Sequence, residues 1–176
     1  MNTRGRTNRL IISTTVIAAL ALPGLLVVSA PANAASASTT KLLQSMAAEE
    51  KLAHDLYVTL GDTYGTRVFD NISASETTHL DRLRELMRTY GVTDPTNGDP
   101  VGKFDDPAVQ KLYDQFVAKG KTSLTAAARV GVTVEKLDIA DLDDALAAKP
   151  AADITSVLRA LRAGSARHLA AFQRFA

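Results

Sequence analysis

The chain has 176 residues, 20 of them basic and 19 acidic, with three His and neither Cys nor Trp. So even a balance gives nucleic acid no basic footprint to bind. The lack of Cys excludes disulfides, thiolate metal sites and CxxC redox chemistry.

Residues 1–34 read as a leader. Arg4, Arg6 and Arg9 precede the apolar run "LIISTTVIAALALPGLLVVSA", and Ala32-Asn33-Ala34 fits a small-x-small cleavage site. This order is that of a secretory signal peptide. The alternative is a membrane anchor, because the run is long enough to span a bilayer at about 20 residues. The cleavage site and the "ASASTT" that follows favour removal after Ala34, and hence a secreted, extracytoplasmic protein with no membrane attachment. Removal leaves 142 residues with net charge −2, since the leader holds three basic residues and no acidic one. That length suits one domain with a real core, expected over 41–176 after a flexible linker at 35–40.

The periodicity predicts a first helix over about 40–64. Leu43, Met46, Glu50, Ala53, Tyr57, Leu60 and Tyr64 fall at alternating steps of three and four, the spacing of one helix face; Gly61 and Gly65 close it. A second helix runs over about 70–90 with Ile72, Glu76, His79, Leu83, Leu86 and Tyr90 on one face and Gly91 as C-cap. The stretch "GVTDPTNGDPVGKFDDP" is a loop by composition. Asp106-Pro107 then starts a short helix, "PAVQKLYDQFVAK", that stops at Gly120. Ser123 caps a third long helix, over 124–148, with Leu124, Ala128, Gly131, Glu135, Asp138 and Leu142 on one face; Lys149-Pro150 ends it. Asp153 caps the fourth, over 154–175. There Ile154, Leu161, His168 and Phe175 recur every seven residues, and Leu158, Ser165 and Phe172 share the face. The "VGVTV" run is the one β-like segment, and it lies inside the helical pattern. The fold class is all-α. Two short connections and one long one, carrying a short extra helix, match a four-helix bundle with a single crossover, the connectivity of ferritin-like folds.

Each long helix carries a candidate metal ligand on its apolar face: Glu50; Glu76 with His79; Glu135 with Asp138; and His168. Residues three apart share a face, so Glu76 and His79 can reach one ion. A buried, unpaired carboxylate is penalised by several kcal/mol, and divalent cations remove that conflict. Carboxylate and imidazole suit Fe, Mn or Zn. Each residue also has a plainer role open to it. A lone Glu-x-x-His is common on exposed helix surfaces, Glu49 could face inward in place of Glu50, Asp138 could cap a helix with Asp141, and His168 could bond a core carbonyl. His54, four residues after Glu50, is either an outer partner of the site or a surface residue. Tyr57, seven after Glu50, is either ordinary packing or a phenol beside the metals with a redox or supporting role. The mid-helix coincidence of acids and two of the three His favours one metal site over independent accidents.

The segments "MAAEEKLAHDLY", "FDNISASETTHLDRLRELMRTYG", "LYDQFVAKGKTSLTAAARVGVTVEKLDIADL" and "GSARHLAAF" resemble a bacterial family of ferritin-like proteins, the domain of unknown function 2202, over about 41–175. In the wider superfamily of ferritins and rubrerythrins, a first-helix Glu followed by Tyr resembles Glu50 and Tyr57. Their Glu-x-x-His resembles Glu76 and His79, and the rubrerythrin Glu-x-x-Glu resembles Glu135 and Asp138. The fourth-helix Glu-x-x-His is broken, because "SARH" puts Ser165 where the Glu would stand. The resemblance implies a dinuclear carboxylate-bridged centre, with two Fe ions (or Mn or Zn) held by Glu50, Glu76, His79, Glu135 and His168, and Asp138 as an optional sixth ligand. It also implies an oxidoreductase or ferroxidase acting with O2 or peroxide, in a fold often found as homo-oligomers. The alternatives are a non-catalytic metal-sequestering bundle, which Ser165 favours, and a structural bundle whose acids only form ion pairs.

Overall fold

The computed structural model describes residues 35–176. Among the described residues are five helices and no strand: α1 (Ala37–Tyr64), α2 (Arg67–Tyr90), α3 (Pro107–Gly120), α4 (Leu124–Ala147) and α5 (Ala152–Phe172). The leader and its cleavage site, residues 1–34, lie outside the described residues. No helix among the described residues is long and apolar enough to cross a membrane.

Local chemistry sets most helix ends. Asp106 and Ser123 cap α3 and α4 as expected, accepting hydrogen bonds from Ala108 N at 2.7 Å and Ala126 N at 3.0 Å; each such cap contributes about 1 kcal/mol. Gly65 and Gly91 end α1 and α2 in the left-handed conformation. Three expectations are corrected. The first helix begins earlier, because Ser36 accepts from Thr39 N; residues 37–40, expected as linker, form its first turn. Asp153 is not the cap of α5. It lies in the first turn, where its carboxylate accepts from Tyr90 Oη at 2.9 and 3.0 Å, and Ala151 stands at the cap without a side-chain bond. Phe175 is exposed, because α5 ends at Phe172 and the seven-residue register stops there.

The four long helices touch in a ring: α1 with α2, α2 with α5, α5 with α4, and α4 with α1. Two apolar clusters fill it. One holds Leu56, Tyr57, Leu60, Phe69, Ile72, Val130, Val134 and Phe172; the other holds Leu43, Met46, Leu83, Met87, Leu142, Ile154, Leu158 and Leu161. The order in which each helix meets them gives its direction. Helices α1 and α5 run from the second cluster to the first, and α2 and α4 run back. Neighbours in the ring are therefore antiparallel, while α2 and α4 lie across it in the same direction, so the chain must carry α2's end back to the level where α4 begins. Residues 91–106 and α3 do this, and α3 packs on α1 and α4. Gly131 lets α4 and α5 close up, since a Cβ there would lie 2.6 Å from the Phe172 ring.

The crossover climbs along α1 and is fastened to it. Gln44 donates to Thr93 O at 3.0 Å. Further along, the buried Lys51 donates to Pro100 O and Lys103 O, both at 3.1 Å, sits over the Phe104 ring and pairs with Asp55. Asp55 in turn accepts from Gly102 N at 2.9 Å. Gly102 has φ +75°, and a Cβ there would collide with the Tyr113 hydroxyl, so the loop can pass only as glycine. Asp55→Ala strands the buried Lys51 charge, a class of change that costs about 3–5 kcal/mol. Urea denaturation of the variant is expected to show a loss of that size with the helical circular dichroism retained.

Candidate metal centre

Between the two apolar clusters, every long helix turns polar. Glu50 follows the Leu43–Met46 turns of α1. Glu76 and His79 separate Ile72 from Leu83 on α2, Glu135 and Asp138 separate Val134 from Leu142 on α4, and Ser165 and His168 separate Leu161 from Phe172 on α5. Glu50, Glu76, His79, Glu135, Ser165 and His168 are all buried, and Asp138 is half-buried. Helical registers thus deliver one polar layer across the bundle, sealed by Leu, Ile and Phe on both sides.

Glu76 sits at its centre. One carboxylate oxygen, Oε2, lies 2.7 Å from His79 Nδ1, and the other, Oε1, lies 2.9 Å from His168 Nδ1. On the far side of His79, Glu50 Oε2 is 3.2 Å from the same Nδ1. On the far side of His168, Glu135 Oε2 is 3.7 Å from that Nδ1. The two imidazoles lie face to face with centroids 5.4 Å apart. Glu76, His79 and His168 form a group of ligand atoms within 4.8 Å of one another, close enough to hold a metal ion. Glu50 Oε1 is buried with no hydrogen-bond partner, a condition rare among buried polar atoms. The donor set, carboxylate oxygens and imidazole nitrogens, suits a first-row divalent cation.

Outer contacts aim these ligands. Ser75 Oγ lies 2.9 Å from His168 Nε2, which leaves Nδ1 turned inward. Tyr57, fully buried, donates to Glu135 Oε1 at 2.6 Å and packs its ring against Phe69 and Phe172. Tyr57 therefore touches a candidate ligand rather than merely filling the core. His79 stacks against the α5 backbone at Gly164, where a Cβ would lie 2.3 Å from Nε2. His54 lies away from the layer, with Nδ1 2.8 Å from Asp55 Oδ1. Ser165 donates to Leu161 O at 3.0 Å and so offers no anionic oxygen. Asp138 does not cap a helix, because α4 runs through it unbroken.

Electrostatics follow from burial and crowding. Burial raises Glu50 well above the usual carboxylate range, aided by Asp138 and Glu76. Burial also carries Glu135 to about 7 and Asp138 to about 8. For Glu76 burial pushes up, but contacts with His168 and His79 prevail and hold it at about 2. For His168 burial pushes down, but Glu135 and Glu76 lift it to about 9. Glu49 is buried as well and raised by desolvation, then by Asp138 and Asp141. Asp138 thus lies within electrostatic reach of both Glu49 and Glu50.

The sequence pattern singles out the buried acids and His of the layer, but not Ser75, Gly164 or the burial of Glu49 together with Glu50. A glycine inside a helix costs about 1 kcal/mol relative to Ala, so "AGSARH" carried a signal of close approach at Gly164. Ser75 carried none.

The family described as an uncharacterized protein domain, DUF2202, matches residues 39–176. The uncharacterized protein MJ0754 of Methanocaldococcus jannaschii is 41% identical over 132 residues, covering 75% of this chain and 71% of the relative. The crystal structure of hypothetical protein MJ0754 from Methanococcus jannaschii superposes with a TM-score of 0.78 at 39% identity, covering 83% of each chain.

Two outcomes follow from this geometry. Glu135, Asp138 and His168 all have folded pKa values raised above their unfolded ones. Each stabilises fully below its unfolded value, near 4 for the acids and 6.5 for the His, and loses that contribution as pH rises through about 7, 8 and 9 respectively. The metal-free protein is therefore expected to melt at progressively lower temperature between pH 5 and 9, as read by calorimetry. Separately, Gly164→Ala must displace the His79 ring. It is expected to lower metal content in elemental analysis more than it lowers the melting temperature.

Proposed function

Since the chain belongs to the family described as an uncharacterized protein domain, DUF2202, we propose its function from its own residues: a ferritin-like metal protein with a dinuclear, carboxylate-bridged centre. The observation that carries this reading is the division of Glu76 between two His, one at each carboxylate oxygen. Glu50, His79 and one oxygen of Glu76 would hold the first ion. Glu135, His168 and the other oxygen would hold the second, and Asp138 would close the layer opposite Ser165. Four carboxylates balance two divalent ions charge for charge, where the same four without cations would repel one another in a dry interior. Iron bound there would supply electrons for the reduction of O2 or peroxide.

The chain's own contribution is positioning and proton management. Ser75 holds His168 with Nδ1 inward, and Gly164 gives His79 its place. Tyr57 holds Glu135 by one oxygen, leaving the other for an ion, and puts a phenol at the edge of the centre. Protons that reside on Glu50, Glu135 and Asp138 leave as ions enter, so uptake is coupled to proton release. The leader places the protein outside the cytoplasmic membrane in this reading, with metal ions and O2 or peroxide as its partners. A second reading, retention of metal without turnover, is favoured by Ser165, which adds no charge to the centre.

Elemental analysis of protein loaded with Fe(II) under anaerobic conditions is expected to give two ions per chain. Glu76→Ala should lose both, and Glu50→Ala or His168→Ala about one. Saturation at about a thousand times Kd should raise stability by about 4 kcal/mol. Oxygen uptake on exposure of the loaded protein to air supports an oxidase; tight binding with no uptake above a metal-only control supports retention. A wild-type protein that binds no divalent ion overturns both readings.

A further inference from the structure

The crossover carries the one Asn-Gly step of the chain, Asn97-Gly98. It forms the tip of a tight turn over residues 96–99, closed by Asp99 N donating to Thr96 O at 3.4 Å. Gly98 has φ +89°, a value that favours glycine at the third place of such a turn. Both residues are exposed, and a Cβ at Gly98 would meet nothing within 4 Å. Among the described residues no hydrogen bond engages the Asn97 side chain or the Gly98 N–H. Asn71, the other Asn among the described residues, stands in contrast. It is built into α2, where the N–H that follows it is spent on the helix and the β-branched Ile72 crowds it.

This tip is pinned on either side. Before it, the buried Thr96 donates from N at 2.8 Å and from Oγ1 at 2.7 Å to Asp94 Oδ1, and Asp94 pairs with Arg84 of α2 at 2.8 Å. After it, Pro100 O accepts from Lys51 of α1 and Gly102 N donates to Asp55. Two clamps, one on each helix, thus fix the ends of a short exposed span. Reaction at the tip is open to solvent. A change in the length of the backbone there cannot be absorbed by sliding past the clamps.

We propose that Asn97 is a site of spontaneous covalent modification that ages the crossover. The Gly98 nitrogen attacks Asn97 Cγ. A new N–Cγ bond closes a five-membered imide, the bond from Cγ to the side-chain nitrogen breaks, the Gly98 N–H proton passes to solvent and ammonia leaves. Glycine permits this, because without a Cβ its peptide unit can turn until the nitrogen meets Cγ. Water then opens the imide at either carbonyl. Opening at Cγ gives Asp with the normal backbone; opening at the backbone carbonyl gives isoaspartate, in which the chain runs through Cβ and Cγ and is one atom longer. The sum is amide plus water to carboxylic acid plus ammonia, with no oxidation or reduction. Both products place a new carboxylate between Asp94 and Asp99. Only isoaspartate adds the backbone atom, so it is the product that loosens the crossover from its clamps.

Folded protein held in mildly alkaline buffer at physiological temperature is sampled over time, digested with trypsin and analysed by mass spectrometry. The peptide over residues 89–103 is expected to gain the mass of an NH2-to-OH exchange and to split into two chromatographic peaks, Asp and isoaspartate. The peptide over residues 68–82, which carries Asn71, should stay unchanged. Asn97→Gln should abolish the change, because its longer side chain would have to close a six-membered ring. The isoaspartyl fraction is expected to be cut faster within residues 91–106 by a broad-specificity protease, a readout of local opening. Asn97→Asp, which adds the charge alone, should be cut at the unmodified rate. No mass change in the folded protein, under conditions that convert the free peptide 89–103, overturns the site. An isoaspartyl fraction cut no faster than Asn97→Asp overturns its effect on the crossover.

Discussion

Everything in this bundle is arranged around carboxylates that share a dry layer. Two like charges 4 Å apart repel by about 4 kcal/mol even at an effective dielectric constant of 20. Glu50, Glu76, Glu135 and Asp138 meet at one level, with apolar clusters above and below. Such a layer needs positive charge, and two kinds are available. Protons can supply it: Glu135 and Asp138 titrate at about 7 and 8, and His168 keeps its proton to about 9. Metal ions could supply it too, and they would then compete with the protons that Glu135 and Asp138 hold up to about 7 and 8.

The fold sets which of the buried acids and His can meet. Glu76 meets His79 within α2, three residues on, and the ring puts α2 beside α5, which brings His168 to the other oxygen. Because α2 and α4 run in the same direction on opposite corners, Glu135 reaches His168 from the α4 side while Glu50 reaches His79 from α1. A chain connecting α2 directly to α4 by a short turn could not give this order. The long crossover is therefore part of the site's logic, and the buried Lys51–Asp55 pair that pins it to α1 begins at the residue after Glu50. Small residues complete the fit. Gly164 and Gly131 let α5 approach its neighbours closely enough for an imidazole and a phenyl ring to lie against bare backbone.

Much of this was legible in the sequence because it depends on period alone. Glu50, Glu76, His79, Glu135 and His168 stand on apolar faces at helical spacing, and a helix can bury only one face. The helix ends at Asp106, Ser123, Gly65 and Gly91 were legible because capping is local chemistry. What failed depends on partners distant in the chain. Asp153 looks like a cap until Tyr90 of α2 takes its carboxylate. Phe175 keeps the seven-residue register after the helix that would give it meaning has ended. Glu49 and Glu50 are adjacent and both are buried, Glu49 near Asp138 and Asp141 and Glu50 near Asp138 and Glu76, a fact no period in α1 contains. Ser75 is one of several serines and threonines around Glu76, distinguished only by the position of His168, 93 residues on.

Ser165 is the sharpest instance of the same dependence. Against the Glu-x-x-His spacing of α2 it reads as a missing acid. In the layer it reads as a consequence of charge. Four carboxylates already crowd the layer. A Glu at 165 would bring a fifth beside Asp138, which burial and its acidic neighbours raise to about 8 against the hydrogen bond of Ser165. Asp138 and a Glu at 165 would then repel one another in the same space. A hydroxyl that spends its proton on the Leu161 carbonyl avoids that conflict while still filling the gap with a polar group. Ser165 thus keeps the α5 side of the layer polar without adding to the negative charge that α4 already places there.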